Sequence, residues 1–239
     1  MKSSDGAPSG LTTPGRLTSK FTLIIQTIPY FYRLTNLDPA MHLIENQIFH
    51  VYNRGNDRQR IFFSRENYLF FLRKIRAHLL PVCEILAYCL MPNHFHLLLK
   101  ADARSVALAN PENMRMPTQA FSKGLQTLLS SYTRAIQKQE RLTGSLFQQR
   151  TQAKQVSSEW GWEDYSLICF RYILYNPVAA GLVTNPLDWE FSSCRDLARL
   201  RNGTLCNKAL IFYESNLEWN TLEGLVNKPL TPEEARKIF

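Results

Sequence analysis

The sequence has 239 residues and a mass of 27.7 kDa, which suits one large domain or a core domain with additional segments at its ends. Hydrophobic residues make up 45% of the chain and charged residues 20%, a composition that excludes wholesale disorder, collagen and a coiled coil. Lysine and arginine total 28 against 20 acidic residues, so the net charge of +8 favours a polyanionic partner.

The cysteines and the apolar runs restrict the compartment. The five cysteines are odd in number and contain no Cys-x-x-Cys pair, which disfavours a secreted disulfide framework and a cysteine-based zinc site. No apolar run approaches the roughly 20 residues that a membrane-spanning helix needs. We therefore expect a cytoplasmic protein in a reducing environment.

The chain is expected to have three segments. Residues 1–40 begin with a stretch rich in Ser, Gly, Pro and Thr and are interpreted as an N-terminal extension that is partly disordered. Residues 41–200 carry the periodic patterns of a folded domain, and residues 201–239 form a C-terminal tail. The folded domain is therefore where we look for chemistry.

Hydrophobic periodicity and turn signals predict the elements of this domain. The predicted strands cover residues 47–53, 83–90 and 94–100, with a fourth inside 145–156. The predicted helices cover residues 66–78 after an N-cap at Ser64, 118–139, 162–175 ending near Asn176-Pro177, and a short segment within 188–200. The order β-α-β-β-α-β followed by further helices matches an α+β, ferredoxin-like split βαβ plan, in which an antiparallel sheet carries helices on one face.

The sharpest local motif is His94-Phe95-His96 in the third predicted strand. Residues i and i+2 of a strand point to the same face, so the two imidazoles project side by side while Phe95 points into the core. Two imidazoles on one face form half of a divalent metal site. The alternative is a pair of polar residues on a solvated strand face.

A second motif lies at the end of the third predicted helix, where Tyr172 and Asn176 are one turn apart on the same face. A tyrosine hydroxyl can act as a nucleophile once its proton is removed, and an amide oxygen suits a hard divalent cation. The alternative is that Tyr172 is a core aromatic residue and Asn176 a helix C-cap before a proline.

Two basic segments flank the histidine pair in the sequence. Residues 53–76 contain seven Lys or Arg against two acidic residues, and residues 115–154 contain seven against one. Basic side chains neutralise phosphates and aromatic side chains stack on unpaired bases, although a solvated basic face has the same composition. The candidate DNA-binding residues in these segments are Arg54, Arg58, Arg60, Lys123, Tyr132, Arg134 and Arg150.

Taken together and in order, these motifs resemble the HUH single-tyrosine transposases, and within them the REP-associated tyrosine transposases. The resemblance is carried by Met91-Pro92-Asn93-His94-Phe95-His96 with Asn53-Arg54-Gly55 upstream, by Tyr172-Ile173-Leu174-Tyr175-Asn176-Pro177 and by Trp189-Glu190-Phe191-Ser192-Ser193 downstream. It covers roughly residues 43–200, and the joint occurrence is more specific than any single motif.

The resemblance implies metal-dependent cleavage of single-stranded, hairpin-flanked DNA in a ferredoxin-like fold. It implies that His94 and His96 bind Mg²⁺ or Mn²⁺, that Asn176 is the polar third ligand, and that Tyr172 attacks the scissile phosphate. The product would be a 5′-phosphotyrosine and a free 3′-hydroxyl, which permits strand transfer. Relatives occur as monomers or homodimers, and no membrane partner is expected.

The chain departs from the family pattern in its second basic segment, where Gln137 stands in place of the usual Asn and Gln149 in place of the usual Gly. Tyr132 in this segment is a rival nucleophile, ranked below Tyr172 because Ile136 occupies the position one turn on. Two other functions remain open. One is a domesticated DNA-hairpin binding protein that no longer cuts, and the other is a small metal-dependent hydrolase unrelated to DNA.

Overall fold

The computed structural model of the protein describes residues 41–112, 117–157, 164–216 and 218–238. All of them belong to one of the two units into which the chain divides, residues 40–239. The expected N-terminal extension over residues 1–40 lies outside the described residues. No helix in the described part of the chain is both long and apolar enough to cross a membrane.

The described residues form four strands and a set of helices around one sheet. Strands β1 to β4 span Ile48–Arg54, Glu84–Met91, His94–Lys100 and Gln152–Gln155. Helices α1 to α8 span Arg65–His78, Ala103–Val106, Ala120–Glu140, Asp164–Ala179, Cys194–Leu197, Lys208–Ser215, Trp219–Val226 and Pro232–Ile238. The strands pair antiparallel in the order β2-β3-β1-β4, so the predicted α+β fold with the ferredoxin-like strand order is confirmed.

Local signals in the sequence explain where helix α1, which connects β1 to β2, begins. Ser64 precedes α1, and the Asn67 side chain reaches back so that its Oδ1 accepts a hydrogen bond from the Ser64 N–H at 3.1 Å. This reciprocal cap satisfies a donor that the first turn of a helix otherwise leaves unpaired. The tight connection at Pro92-Asn93 then joins β2 to β3 as a hairpin, which fixes the register of the motif-bearing strand.

Helices cover both faces of the sheet, whereas the sequence pattern predicted helices on one face. On one face, Phe95 of β3 packs against Phe71 of α1 with ring centroids 5.2 Å apart, and Tyr132 of α3 packs against Phe71 at 4.9 Å. Helix α4 packs against β2 and β3 on the opposite face, to which the β3 histidines point. The second layer arises because α4 follows the last strand and is free to cross to the uncovered face.

Helix α4 also continues further than its sequence predicts, because it ends at Ala179 rather than near Asn176. Pro177 lies in its last turn, where a missing N–H removes one intrahelical hydrogen bond and few residues remain to be displaced. The helix then ends with Gly181 at φ +66°, and the Leu182 N–H bonds to the Pro177 carbonyl at 2.9 Å. Asn176 is therefore a helical residue and not a terminating cap.

The C-terminal segment packs back onto the domain. Lys100 of β3 forms an ion pair with Glu214 of α6 at 2.5 Å. Arg171 of α4, which is buried, forms an ion pair with Glu234 of α8 at 2.6 Å. These contacts bring the end of the chain to the face of the sheet that carries α4.

Candidate active site

The histidine pair is built on β3 by strand geometry. His94 and His96 point to the α4 face, and Phe95 between them is fully buried on the other face. Strand β1 lies beside β3 in a register that pairs Tyr52 with His96 and His50 with Leu98. Three imidazoles and one phenol therefore share one face of two central strands.

Each imidazole of the pair has its Nδ1 engaged and its Nε2 directed at the same side chain. His94 Nδ1 lies 2.7 Å from Asn93 Oδ1, and His96 Nδ1 lies 2.9 Å from His50 Nε2. On the other side of the rings, His94 Nε2 lies 3.2 Å from Asn176 Oδ1, and His96 Nε2 lies 3.5 Å from Asn176 Nδ2. The carboxamide of Asn176 thus spans the two Nε2 atoms.

Helix α4 supplies the remaining groups. Tyr172 and Asn176 lie one turn apart on the face of α4 that meets β3, and Asn176 is buried. The Tyr172 ring packs edge-on against His96 with centroids 5.2 Å apart and against His50 at 6.1 Å. The spacing of the helix therefore delivers a phenol and an amide to the imidazole pair together.

The imidazoles are held neutral by their surroundings. Burial lowers the pKa of His96 well below its ordinary value of 6.5, and the neighbouring His50 and His94 lower it further. Burial also lowers the pKa of His94, although the hydrogen bond with Asn176 opposes the shift. Neutral imidazoles have one ring nitrogen with a free lone pair, which is the form that ligates metals.

The Tyr172 hydroxyl is protonated at neutral pH in the structure. Burial raises its pKa from 10.0 to about 12, and a hydrogen bond with Asn176 acts in the opposite direction. A nucleophilic role therefore requires a further positive charge near the phenol oxygen, because a neutral phenol is a poor nucleophile.

A cavity of about 320 Å³ opens over this cluster. Tyr172 and the three histidines line it together with Arg54 and Arg150. The other lining residues are Tyr52, Asn53, Gln148, Gln152 and Ile238. The cavity thus combines a titratable cluster with two basic side chains, an arrangement typical of a functional site.

The other predicted DNA-binding residues do not line this cavity. Arg58 and Arg60 are exposed in the loop that follows β1. Lys123 and Arg134 are exposed on α3, on the layer that covers the opposite face of the sheet, and neither lines the cavity. The structure therefore groups Arg54 and Arg150 with the candidate active site and leaves the α3 residues apart from it.

Tyr132 requires a correction, because the sequence pattern proposed it as a DNA contact and as a rival nucleophile. Its side chain is fully buried in the core on α3, and its hydroxyl donates to the Ile61 carbonyl at 2.7 Å. Burial raises its pKa well above the ordinary value of 10.0. A phenol in this position can neither stack on a base nor reach a phosphate, so we withdraw both roles.

The sequence reasoning missed His50. The alternation in the first strand already places His50 and Tyr52 on one face, but only strand pairing shows that this face is the one that carries His96. His50 is 2% exposed, and burial together with Lys154 lowers its pKa to about 3. The signal in the sequence was a third histidine in a predicted strand, on the same strand face as Tyr52.

The residues present fit a divalent cation. His94 Nε2 lies 3.2 Å from Asn176 Oδ1, and His96 Nε2 lies 3.5 Å from the Nδ2 atom of the same carboxamide. Neutral imidazole nitrogens and an amide oxygen that meet at this spacing are ligands that a divalent cation accepts. No group of three or more His, Cys, Asp or Glu side chains that could hold a metal occurs in the described residues; the candidate set is two imidazoles and an amide.

Comparisons with known proteins give similarities to solved structures. No family model matches the chain, and no curated protein matches it. A bacterial tRNA(His) guanylyltransferase-like protein in complex with ATP shares 10% identity with a TM-score of 0.33, over 83% of this chain and 82% of that one. A REP-associated tyrosine transposase bound to a REP hairpin shares 20% identity with a TM-score of 0.48, over 68% of this chain and 86% of that one. The function proposed for this chain therefore rests on the geometry of its site.

Proposed function

We propose that the protein is a transposase-like enzyme that cleaves and transfers single-stranded, hairpin-flanked DNA with Tyr172 as the nucleophile and Mg²⁺ or Mn²⁺ as the cofactor. The observation that carries the proposal is that Tyr172 and the His94–His96 pair line one cavity together with two arginines, while the buried Asn176 contacts both imidazoles from the same helix as Tyr172. Neither a solvated strand face nor a core tyrosine explains this arrangement.

The proposed step is a phosphodiester exchange. The Tyr172 oxygen attacks the scissile phosphorus, the bond from phosphorus to the 3′-oxygen breaks, and the leaving 3′-oxygen takes up a proton as the phenol loses one. The products are a 5′-phosphotyrosine and a free 3′-hydroxyl, and attack by a 3′-hydroxyl on the phosphotyrosine completes strand transfer. The covalent link conserves the energy of the broken bond, so no nucleotide cofactor is required.

The residues of the site have separate roles in this proposal. His94, His96 and Asn176 would hold the cation, and Asn176 also positions the Tyr172 hydroxyl through its hydrogen bond. A bound divalent ion would supply charge neutralisation at the non-bridging oxygens and would favour ionisation of the phenol. The fixed position of Tyr172 on a packed helix keeps the nucleophile oriented toward the cavity.

Three residues that line the cavity support a nucleic-acid substrate. Arg54 and Arg150 are exposed at the cavity, where each can neutralise a phosphate on either side of the scissile bond. Tyr52 also lines the cavity and offers an aromatic face for an unpaired base. A duplex keeps its bases stacked and paired, so these groups favour a single strand at the point of cleavage.

A covalent-adduct assay tests the proposal. Hairpin oligonucleotides with single-stranded flanks, labelled at the 3′ end, are incubated with the full chain and Mn²⁺, and the products are separated under denaturing conditions. We expect the 3′ label to migrate with the protein, and we expect no adduct with Tyr172→Phe or with EDTA. Tyr132→Phe is the matched control and should form the adduct as wild type does.

A native gel-shift experiment on the same proteins and oligonucleotides, read together with the adduct assay, separates the alternatives. Salt-dependent binding of hairpin DNA that is equally strong with and without EDTA, and that gives no adduct, would favour a domesticated DNA-hairpin binding protein. Absence of a DNA shift even at low salt would favour a hydrolase unrelated to DNA. Equal adduct from wild type and Tyr172→Phe would remove Tyr172 as the nucleophile.

The expected compartment belongs to the same proposal. All five cysteines are buried and free of disulfides, a state that a reducing compartment maintains. We therefore keep the expectation of a cytoplasmic enzyme. The expectation of a monomer or homodimer comes from the resemblance alone.

A further inference from the structure

His50 forms an unusual buried contact behind the histidine pair. Its Nε2 lies 2.9 Å from His96 Nδ1, and the two rings are stacked with centroids 5.1 Å apart. His50 is 2% exposed and His96 is 4% exposed, so water does not compete for this contact. The position of His50 on β1, beside β3 in the sheet, holds it rigidly against the back of the His96 ring.

The hydrogen-bond partners determine which nitrogen of His96 carries the proton. A neutral imidazole has one N–H, and the amide nitrogen of Asn176 faces His96 Nε2 as a donor at 3.5 Å. The His96 proton is therefore on Nδ1, where it donates to His50 Nε2. This tautomer leaves the Nε2 lone pair directed toward Asn176 and Tyr172, which is the side on which a cation would be held.

The same assignment leaves His50 with an unpaired proton. If His50 Nε2 accepts, its own N–H is on Nδ1, and that atom is buried without a hydrogen-bond partner in the described residues. An unpaired buried donor costs about 1–3 kcal/mol, so an apolar side chain would serve packing better at this position. The polar contact is therefore best explained by what it does to His96.

We propose that His50 is a positioning residue, which fixes His96 in the Nδ1–H tautomer and in the ring orientation needed for metal ligation through Nε2. The inference rests on the proposed metal site and deepens it. Partners of this kind orient metal-bound histidines, and their loss weakens metal affinity by about 10- to 100-fold.

Metal binding to the full chain without DNA tests the inference. Titration calorimetry with Mn²⁺ compares wild type with His50→Gln, whose Oε1 can accept from His96 Nδ1, and with His50→Leu, which fills a similar volume without an acceptor. We expect His50→Gln to bind within about 3-fold of wild type and His50→Leu to bind about 10- to 100-fold more weakly. The unfolding midpoint of His50→Leu should stay near wild type, because the substitution removes one unpaired buried donor and creates another at His96.

Nitrogen NMR of the His96 ring in the metal-free protein supplies an independent readout. We expect the Nδ1–H tautomer in wild type and in His50→Gln, and a mixture of tautomers in His50→Leu. Wild-type Mn²⁺ affinity and an unchanged tautomer in His50→Leu would overturn the inference, as would a His50→Gln protein as weak as His50→Leu. If wild type binds no Mn²⁺, the proposed metal site fails while the tautomer comparison still decides the role of His50.

Discussion

Removing one hydroxyl group at Tyr132 should affect stability and not chemistry. That hydroxyl donates to the Ile61 carbonyl at 2.7 Å in a fully buried position. Tyr132→Phe leaves the carbonyl unpaired away from water, which costs about 1–3 kcal/mol. In a protein of this size each kcal/mol lowers the melting temperature by about 2–4 °C, so we expect a decrease of roughly 2–12 °C.

Tyr172→Phe removes the same atom from a partly exposed position in the cavity, where water can replace the lost hydrogen bond. We expect a stability change of about 1 kcal/mol or less together with complete loss of the covalent adduct. The two variants are therefore expected to have opposite effects. Tyr132→Phe is less stable than wild type but forms the covalent adduct, whereas Tyr172→Phe is nearly as stable as wild type but forms no adduct.

Thermal unfolding followed by circular dichroism and the adduct assay are performed on the same preparations, below the melting temperature of the weaker variant. A Tyr132→Phe protein of unchanged melting temperature that forms no adduct would refute this reasoning, because the hydroxyl would then act in the reaction. Adduct formation by both variants would show that neither tyrosine is the nucleophile.

Three further outcomes are expected. Gly55→Ala should lose about 1–3 kcal/mol in urea denaturation, because a Cβ would lie 2.1 Å from the Gln59 carbonyl oxygen, and an unchanged midpoint would contradict this steric reading. Burial lowers the pKa of His50 from 6.5 in the unfolded chain to about 3 in the folded chain. Between these two pH values the unfolded chain binds a proton that the folded chain does not bind. The free energy of unfolding therefore decreases as the pH falls below about 6.5. In EDTA, wild type should therefore lose about 2 kcal/mol more than His50→Gln between about pH 7 and pH 5, and equal losses would count against a neutral buried His50. Arg54→Gln and Arg150→Gln should each make the salt dependence of single-stranded DNA affinity shallower by about 0.7 in the logarithmic slope, whereas unchanged slopes would place the phosphates elsewhere.

The local relations within the site were readable from the sequence. His94 and His96 share a face because a strand has a period of two, and Tyr172 and Asn176 share a face because a helix has a period near four. The strand order of the sheet followed from the alternation of strand and helix patterns, and the structure confirms it. Each of these predictions depends on neighbours within a few residues or on the order of the elements.

Tertiary structure decided the rest. Only the pairing of β1 with β3 brings His50 to His96 across 46 positions in the sequence. Tyr132 and Tyr172 both lie on helices, yet α3 turns one phenol into the core, while α4 crosses to the opposite face and presents the other to the imidazoles. Periodicity predicts which residues share a face of a helix or strand, but it does not predict which other element that face packs against. That choice depends on packing between elements that are far apart in the sequence.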